Sequence, residues 1–160
     1  AGSVAKNEAI KIKFEVDVNP PAFATFEHKY RLLPVPYEVK LYDMPSLFAG
    51  KIHAVICRAW QSRVKGKDLY DYVFYLSRGA AVNQRHLRER LINSGYIHAD
   101  EDCSLTDIKK MLSERFDSID FVQAKRDVEP FINDPSVLDI WSSDFFRQIT
   151  DRLTTTNGLF

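Results

Sequence analysis

The first 43 residues show the period-two pattern of β-strands. In residues 10–18, apolar and charged side chains alternate strictly, which predicts a strand with one buried face. Asn19-Pro20-Pro21 ends this strand, because prolines cannot donate hydrogen bonds to a neighbouring strand. Two shorter strands are predicted at about residues 27–33 and 37–42, with prolines between them. Residues 1–43 are therefore expected to be mainly sheet.

The pattern becomes helical after Asp43, a predicted N-cap with Pro45 in the first turn. Apolar residues then recur at helical spacing and form one stripe. This stripe consists of Phe48, Ile52, Val55, Ile56 and Ala59. Five further helices are predicted at about residues 68–77, 83–95, 104–116, 121–132 and 137–153. We expect residues 44–160 to be mainly helical and residues 1–160 to form one α+β domain, with an antiparallel or mixed sheet followed by a helical bundle.

Composition and charge narrow the class of protein. A hydrophobic fraction of 45%, with eleven phenylalanines in 160 residues, favours a folded domain with a substantial core. The formal net charge is zero, so any contact with nucleic acid must come from a local patch. Cys57 and Cys103 do not form the pattern of a disulfide framework. No apolar run approaches the roughly 20 residues that span a bilayer, and no signal peptide is recognisable. We expect a cytoplasmic protein without a membrane partner.

Glu15 and Asp17 are a candidate metal site. Residues two apart on a strand project from the same face, and Mg²⁺ prefers oxygen ligands completed by water and phosphates. The alternative is an exposed polar face on which Lys11 and Lys13 balance the two acids. The spacing alone does not decide between them.

Lys51 is a candidate phosphate ligand. It lies at the border of the apolar stripe and next to Gly50, so a bulky anion could approach it. An ammonium on a flexible stem is well suited to a phosphate oxygen. The alternative is a lysine that buries its stem and extends its charge to water.

A cluster of charged residues follows the first predicted helix. Asp68 and Asp71 stand at a helix start, where an N-cap and a first-turn acid are the simplest explanation. Cations and aromatics nevertheless surround them, a combination that binds nucleotides or RNA backbones. These neighbours are Arg58, Arg63, Lys65, Lys67, Trp60 and Tyr70. A solvated charged loop is the alternative.

Three segments in this order resemble the AbiEii/AbiGii family of nucleotidyltransferase toxins, which belong to bacterial toxin–antitoxin and phage-defence systems. The first is Ile12-Lys13-Phe14-Glu15-Val16-Asp17-Val18-Asn19-Pro20-Pro21. The second is Leu47-Phe48-Ala49-Gly50-Lys51-Ile52-His53-Ala54. The third is Arg63-Val64-Lys65-Gly66-Lys67-Asp68-Leu69-Tyr70-Asp71. The match is strong over the first half of the chain and loose over the helical tail.

The resemblance implies a polymerase-beta-like nucleotidyltransferase fold, in which carboxylates hold Mg²⁺ while an acceptor attacks the α-phosphate of a nucleoside triphosphate. It assigns the metal to Glu15 and Asp17, and catalysis to Lys51 and Asp68. Supporting nucleotide contacts fall to Arg63, Lys65, Lys67 and Asp71. The implied partners are a nucleoside triphosphate, a cognate antitoxin, and tRNA or another RNA.

One family feature is not matched. A glycine and a serine or threonine, followed by a strand with paired aspartates, should precede these motifs, and Gly2-Ser3 lies too close to Glu15 to serve. We therefore expect the chain to be the C-terminal part of a longer nucleotidyltransferase and to be weakly active or inactive alone.

Two other hypotheses stay open. In one, the chain is a non-catalytic module whose loop around Arg63 and Lys67 binds RNA or an antitoxin. In the other, the acids are helix caps and Lys51 only extends to solvent.

Overall fold

A β-hairpin precedes the helices. The computed structural model describes residues 12–61 and 63–156, and in the first helix it describes side chains as far as Arg58. Strand β1 (Phe26–Arg31) pairs with β2 (Tyr37–Tyr42) in an antiparallel register that sets Phe26 opposite Tyr42. The two shorter strands are therefore confirmed, with β1 starting and ending slightly earlier than predicted.

The first predicted strand is wrong in its described part. Residues 12–18 form no strand, and residues 10 and 11 lie outside the described ranges. The apolar side chains of Ile12, Phe14, Val16 and Val18 are 73–93% exposed. Alternation predicts which face a side chain would take, but a strand also needs a neighbouring backbone. No described residue provides one for this segment.

Six α-helices follow the hairpin in the described part of the chain. Asp43 begins the first by accepting a hydrogen bond from the Ser46 N–H at 3.0 Å, and Asn83 likewise caps the third through the His86 N–H at 3.0 Å. Ser104 begins the fourth with a capping box. The helices are α1 (Met44–Gln61), α2 (Gly66–Ser77), α3 (Gln84–Asn93), α4 (Leu105–Phe116), α5 (Phe121–Val128) and α6 (Ser143–Thr150).

The last two helices are shorter than predicted. Helix α5 ends at Val128 and continues only as a 3-10 turn (Glu129–Phe131), because Pro130 lacks the N–H that a further α-helical turn requires. A second 3-10 turn (Pro135–Leu138) precedes α6. Ser142 then starts α6 by accepting a hydrogen bond from the Phe145 N–H at 3.2 Å. A polar cap therefore interrupts what the hydrophobic pattern presents as one helix.

The core lies among the helices. The predicted stripe of α1 is fully buried at Phe48, Ile52, Val55 and Ile56, whereas the side chain of Ala59 lies outside the described ones. At the centre, the ring of Tyr72 packs against aromatic rings from three other helices, at centroid distances of 5.8 to 6.3 Å. Those rings belong to Phe48, Phe116 and Phe146. The α+β class is confirmed.

Among the described residues, no helix has both the length and the hydrophobicity that a membrane crossing requires.

Candidate functional site

Two ion pairs join α1 to α2. Lys51 Nζ lies 2.6 Å from Asp71 Oδ2, and Arg58 Nη1 lies 2.8 Å from Asp68 Oδ2. Arg58 near the end of α1 meets Asp68 near the start of α2. The residue farther back on α1 therefore pairs with the residue farther along α2. Both pairs therefore hold α1 against α2.

Asp68 is the buried member of these four residues. Its side chain is 6% exposed, and a buried carboxylate is costly unless a cation or hydrogen-bond donors surround it. The Arg58 guanidinium supplies that charge. Asp68 lies in the first turn of α2 and not at the cap, because the N-cap position belongs to Lys65, which makes no side-chain capping hydrogen bond. First-turn acids are favoured by the helix dipole.

A cleft of about 490 Å³ opens beside these pairs. Lys51, Arg58 and Asp68 line it from α1 and α2, together with Arg90 from α3. The two catalytic residues predicted from the sequence, Lys51 and Asp68, therefore share one cavity although they belong to different helices. Its wall also includes Tyr42, Gly50, His53, Cys57, His86 and Ser94.

His53 is neutral at physiological pH in this cleft. Burial, together with the neighbouring positive charge of Arg90, lowers the pKa of His53 from 6.5 to about 4. Nε2 of His53 is buried and has no hydrogen-bond partner among the described residues. The wall of the cleft therefore carries an imidazole that does not add to its positive charge.

His86 ties the segment before the hairpin to the helices. Its ring is almost fully buried, and its Nδ1–H donates a hydrogen bond to the Ala22 carbonyl at 2.7 Å. Burial lowers the pKa of His86, which favours the neutral ring. The side-chain amide of Asn83 donates to the Phe23 carbonyl at 2.9 Å. Tyr42 of β2 stacks on the His86 ring at a centroid distance of 6.2 Å and lines the cleft.

Arg63 is engaged with α5. Its guanidinium donates two hydrogen bonds to the carboxylate of Asp127, at 2.5 and 3.1 Å. The same carboxylate accepts the backbone N–H of Gly66 at 3.1 Å. These contacts, chiefly the one with Arg63, lower the pKa of Asp127 to about 2. Arg63 therefore fixes the connection before α2 and does not line the cleft.

Lys65 and Lys67 are exposed and lie outside the cleft. Among the described residues, neither forms an ion pair. Lys67 lines a different hollow of about 260 Å³ together with Asp71 and Phe131. Of the four predicted supporting residues, Asp71 is joined to the cleft through its ion pair with Lys51.

Glu15 and Asp17 do not line this cleft and lie on the segment before the hairpin. Glu15 forms an ion pair with Lys13, and Asp17 Oδ1 accepts the Asn19 N–H at 3.0 Å. Neither residue lines the cleft. In the ranges 12–61 and 63–156, no group of three or more His, Cys, Asp or Glu side chains could hold a metal ion. The metal role of this pair stays a prediction.

Comparison with protein families gives a match over nearly the whole chain. The model of the nucleotidyl transferase AbiEii toxin family, of the type IV toxin–antitoxin systems, matches residues 2–148. The chain belongs to the AbiEii family. No curated protein and no solved structure matches the chain significantly. The resemblance inferred from the three sequence motifs is therefore confirmed, and it extends into the helical tail.

In this AbiEii chain, the sequence motifs did not reveal two residues that shape the site. Asp127 anchors the connection before α2, and Arg90 lines the cleft from α3. Both residues lie on helices that are distant in the sequence from the motifs around Lys51 and Asp68. The charged pattern of α3, with several arginines on a short helix, was the one available signal, and it did not distinguish Arg90 from its neighbours.

Proposed function

We propose that the cleft between α1, α2 and α3 binds the triphosphate of a nucleoside triphosphate. On this proposal the intact protein is a cytoplasmic nucleotidyltransferase toxin of a phage-defence system, and a cognate antitoxin opposes it. The observation that carries the proposal is that Lys51 and Asp68, from two separate helices, line the same cleft in a member of the AbiEii family.

The chemistry requires positioning and charge neutralisation. An acceptor oxygen of RNA or protein attacks the α-phosphorus, the bond to the bridging oxygen breaks, and pyrophosphate leaves. The ammonium of Lys51 would hold a phosphate oxygen and offset the charge that develops on the leaving group. The carboxylate of Asp68 holds the Arg58 guanidinium at the cleft wall. Asp71 would orient Lys51 until the triphosphate replaces it.

Nucleotidyl transfer in this family implies Mg²⁺, so the fit of the described residues to this ion matters. Mg²⁺ is held by one or two carboxylates together with substrate phosphates and water. Asp68 is the carboxylate that lines the cleft among the described residues, and one of its oxygens accepts from Arg58. Glu15 and Asp17 do not line it. The described residues of the cleft therefore do not assemble a magnesium site.

A second candidate function is binding of RNA, such as tRNA, or of an antitoxin without catalysis. Lys65 and Lys67 favour it, because both are exposed and neither forms an ion pair with a described residue. Binding that weakens with salt and ignores nucleotide would support this function.

The first proposal is tested by measuring whether the intact protein transfers label from α-phosphate-labelled nucleoside triphosphates to RNA or protein in the presence of Mg²⁺. Lys51→Ala and Asp68→Asn should each reduce transfer by at least about tenfold, since a charge-assisted contact contributes about 1.5–3 kcal/mol. Lys110→Ala is the matched control, because Lys110 is exposed on α4 away from the cleft. Undiminished transfer by both cleft variants would remove Lys51 and Asp68 from the mechanism.

A further inference from the structure

Arg90 differs from the other cations of the cleft. Lys51 is paired with Asp71, and Arg58 is paired with Asp68. Arg90 lines the same cavity. Among the described residues, its guanidinium forms neither an ion pair with a carboxylate nor a hydrogen bond. Its Nε is buried without a partner. A buried guanidinium nitrogen without an acceptor is costly, and an anion that reaches Arg90 would supply the acceptor that the described residues do not.

The surroundings of Arg90 suit an anion. A Cβ placed on Gly50 would lie 3.8 Å from the Arg90 Cζ, an ordinary van der Waals contact, so the guanidinium lies beside Gly50 of α1, the residue that precedes Lys51. Burial lowers the pKa values of His53 and His86, two other residues of the cleft, and the positive charge of Arg90 acts in the same direction on both. Its field therefore extends across the cleft wall, and no described carboxylate pairs with it.

We propose that Arg90 is a phosphate-binding residue of this cleft and contacts the triphosphate from α3. A guanidinium presents several N–H donors in a planar fork that matches two oxygens of one phosphate. Lys51 and Arg90 would then hold the anion from two helices. The assignment of the anion as a nucleotide triphosphate rests on the proposed function, whereas the anion site itself does not.

The experiment measures binding of inorganic tripolyphosphate to the full chain by isothermal titration calorimetry. Arg90→Gln should weaken binding about 10- to 100-fold, because it removes charge-assisted hydrogen bonds. Arg90→Lys should bind with intermediate affinity, since it keeps the charge but loses the fork. Arg126→Gln, on the exposed surface of α5, makes the same change of charge away from the cleft and should bind like the wild type.

A second measurement needs no variant. Tripolyphosphate should protect Arg90 of the wild-type chain from modification by phenylglyoxal, as mapped by mass spectrometry, while Arg126 should stay reactive. Absence of protection, absence of wild-type binding, or equal affinity of Arg90→Gln and the wild type would overturn the proposal. If tripolyphosphate binds through Arg90 but no nucleotide is transferred, the anion site stands and the proposed function fails. If nucleotide is transferred but Arg90→Gln binds tripolyphosphate as tightly as the wild type, the proposed function stands and the anion site at Arg90 fails.

Discussion

Gly66 lies against the backbone of Ala124, where α2 begins beside α5. A Cβ on Gly66 would lie 1.9 Å from the Ala124 carbonyl oxygen and 2.8 Å from Cγ2 of Val128. The glycine between Lys65 and Lys67 is therefore explained by close packing of two helices. Its place in the charged motif sets the position of Asp68, because it allows the first turn of α2 to approach α5.

Gly66→Ala should destabilise the protein. The contact is with backbone, which cannot rotate away as a flexible side chain can, so α2 must shift from α5. Overpacking of this kind costs about 1–3 kcal/mol, and occasionally more. Chemical denaturation followed by circular dichroism measures the free energy of unfolding.

Gly50→Ala is the matched control for Gly66→Ala. A Cβ on Gly50 makes only an ordinary contact, 3.8 Å from the Arg90 Cζ. Because alanine is favoured over glycine inside a helix by roughly 0.5–1 kcal/mol, this variant should be as stable as the wild type or slightly more stable. Equal destabilisation by both substitutions would contradict the packing role of Gly66.

Tyr72 and Thr150 form a buried hydrogen bond whose direction is fixed. The Thr150 hydroxyl donates to the Phe146 carbonyl at 2.7 Å, so the Tyr72 hydroxyl must donate to Thr150 Oγ1, at 2.8 Å. Tyr72→Phe removes only the hydroxyl that donates to Thr150 and should lower the free energy of unfolding by about 0.5–1.5 kcal/mol. Thr150→Val leaves the buried Tyr72 hydroxyl without an acceptor and should cost more, about 1–3 kcal/mol. Denaturation of the two variants checks this order, and a larger loss for Tyr72→Phe would contradict it.

Local signals in the sequence predicted most of the elements. Asp43, Asn83 and Ser104 are polar caps before periodic apolar residues, and each begins a helix. The wrong strand at residues 12–18 shows the limit of this reasoning, because alternation carries no information on which backbone a strand pairs with.

The candidate site was only partly predictable. The motifs around Lys51 and Asp68 identified two residues that line one cleft, although periodicity alone could not place their helices side by side. The contact of Arg63 with Asp127 joins residues far apart in the chain, and it changes Arg63 from a candidate ligand to a structural residue. The position of Arg90 likewise depends on how α3 packs against α1. Such contacts follow from tertiary arrangement, which no local pattern encodes.

Asp127 should make stability depend on acid pH. Its pKa is lowered from 3.8 to about 2, chiefly by Arg63, so the folded state favours the charged carboxylate. The resulting stabilisation is fully present above about pH 4 and is lost as pH falls through about 2. Asp127→Asn should therefore be less stable than the wild type at neutral pH, and the difference should disappear toward pH 2. Denaturation across this range measures it; a difference independent of pH would contradict the role of the charge.

His53 should make stability depend on pH in a higher range than Asp127 does. Burial lowers its pKa from 6.5 to about 4, so the unfolded chain binds a proton between these values and the folded chain does not. Stability contributed by neutral His53 is therefore full above about pH 6.5 and falls as pH decreases toward 4. His53→Leu should reduce this decrease, leaving the part that comes from His86, whose pKa is also lowered. Unfolding free energies of both proteins at pH 4 to 8 test this, and parallel curves would contradict it.

The pair of Lys51 with Asp71 separates a structural role from a ligand-binding role. Both side chains are partly exposed, so the ion pair should contribute only about 0–1 kcal/mol to stability, and neither Lys51→Ala nor Asp71→Asn should unfold the protein. If Lys51 holds phosphate, Lys51→Ala should weaken tripolyphosphate binding. Asp71→Asn should strengthen it, because the carboxylate no longer competes for the ammonium. If Lys51 serves only as the partner of Asp71, the two variants should have the same effect, and calorimetric titration of both would reveal that equality.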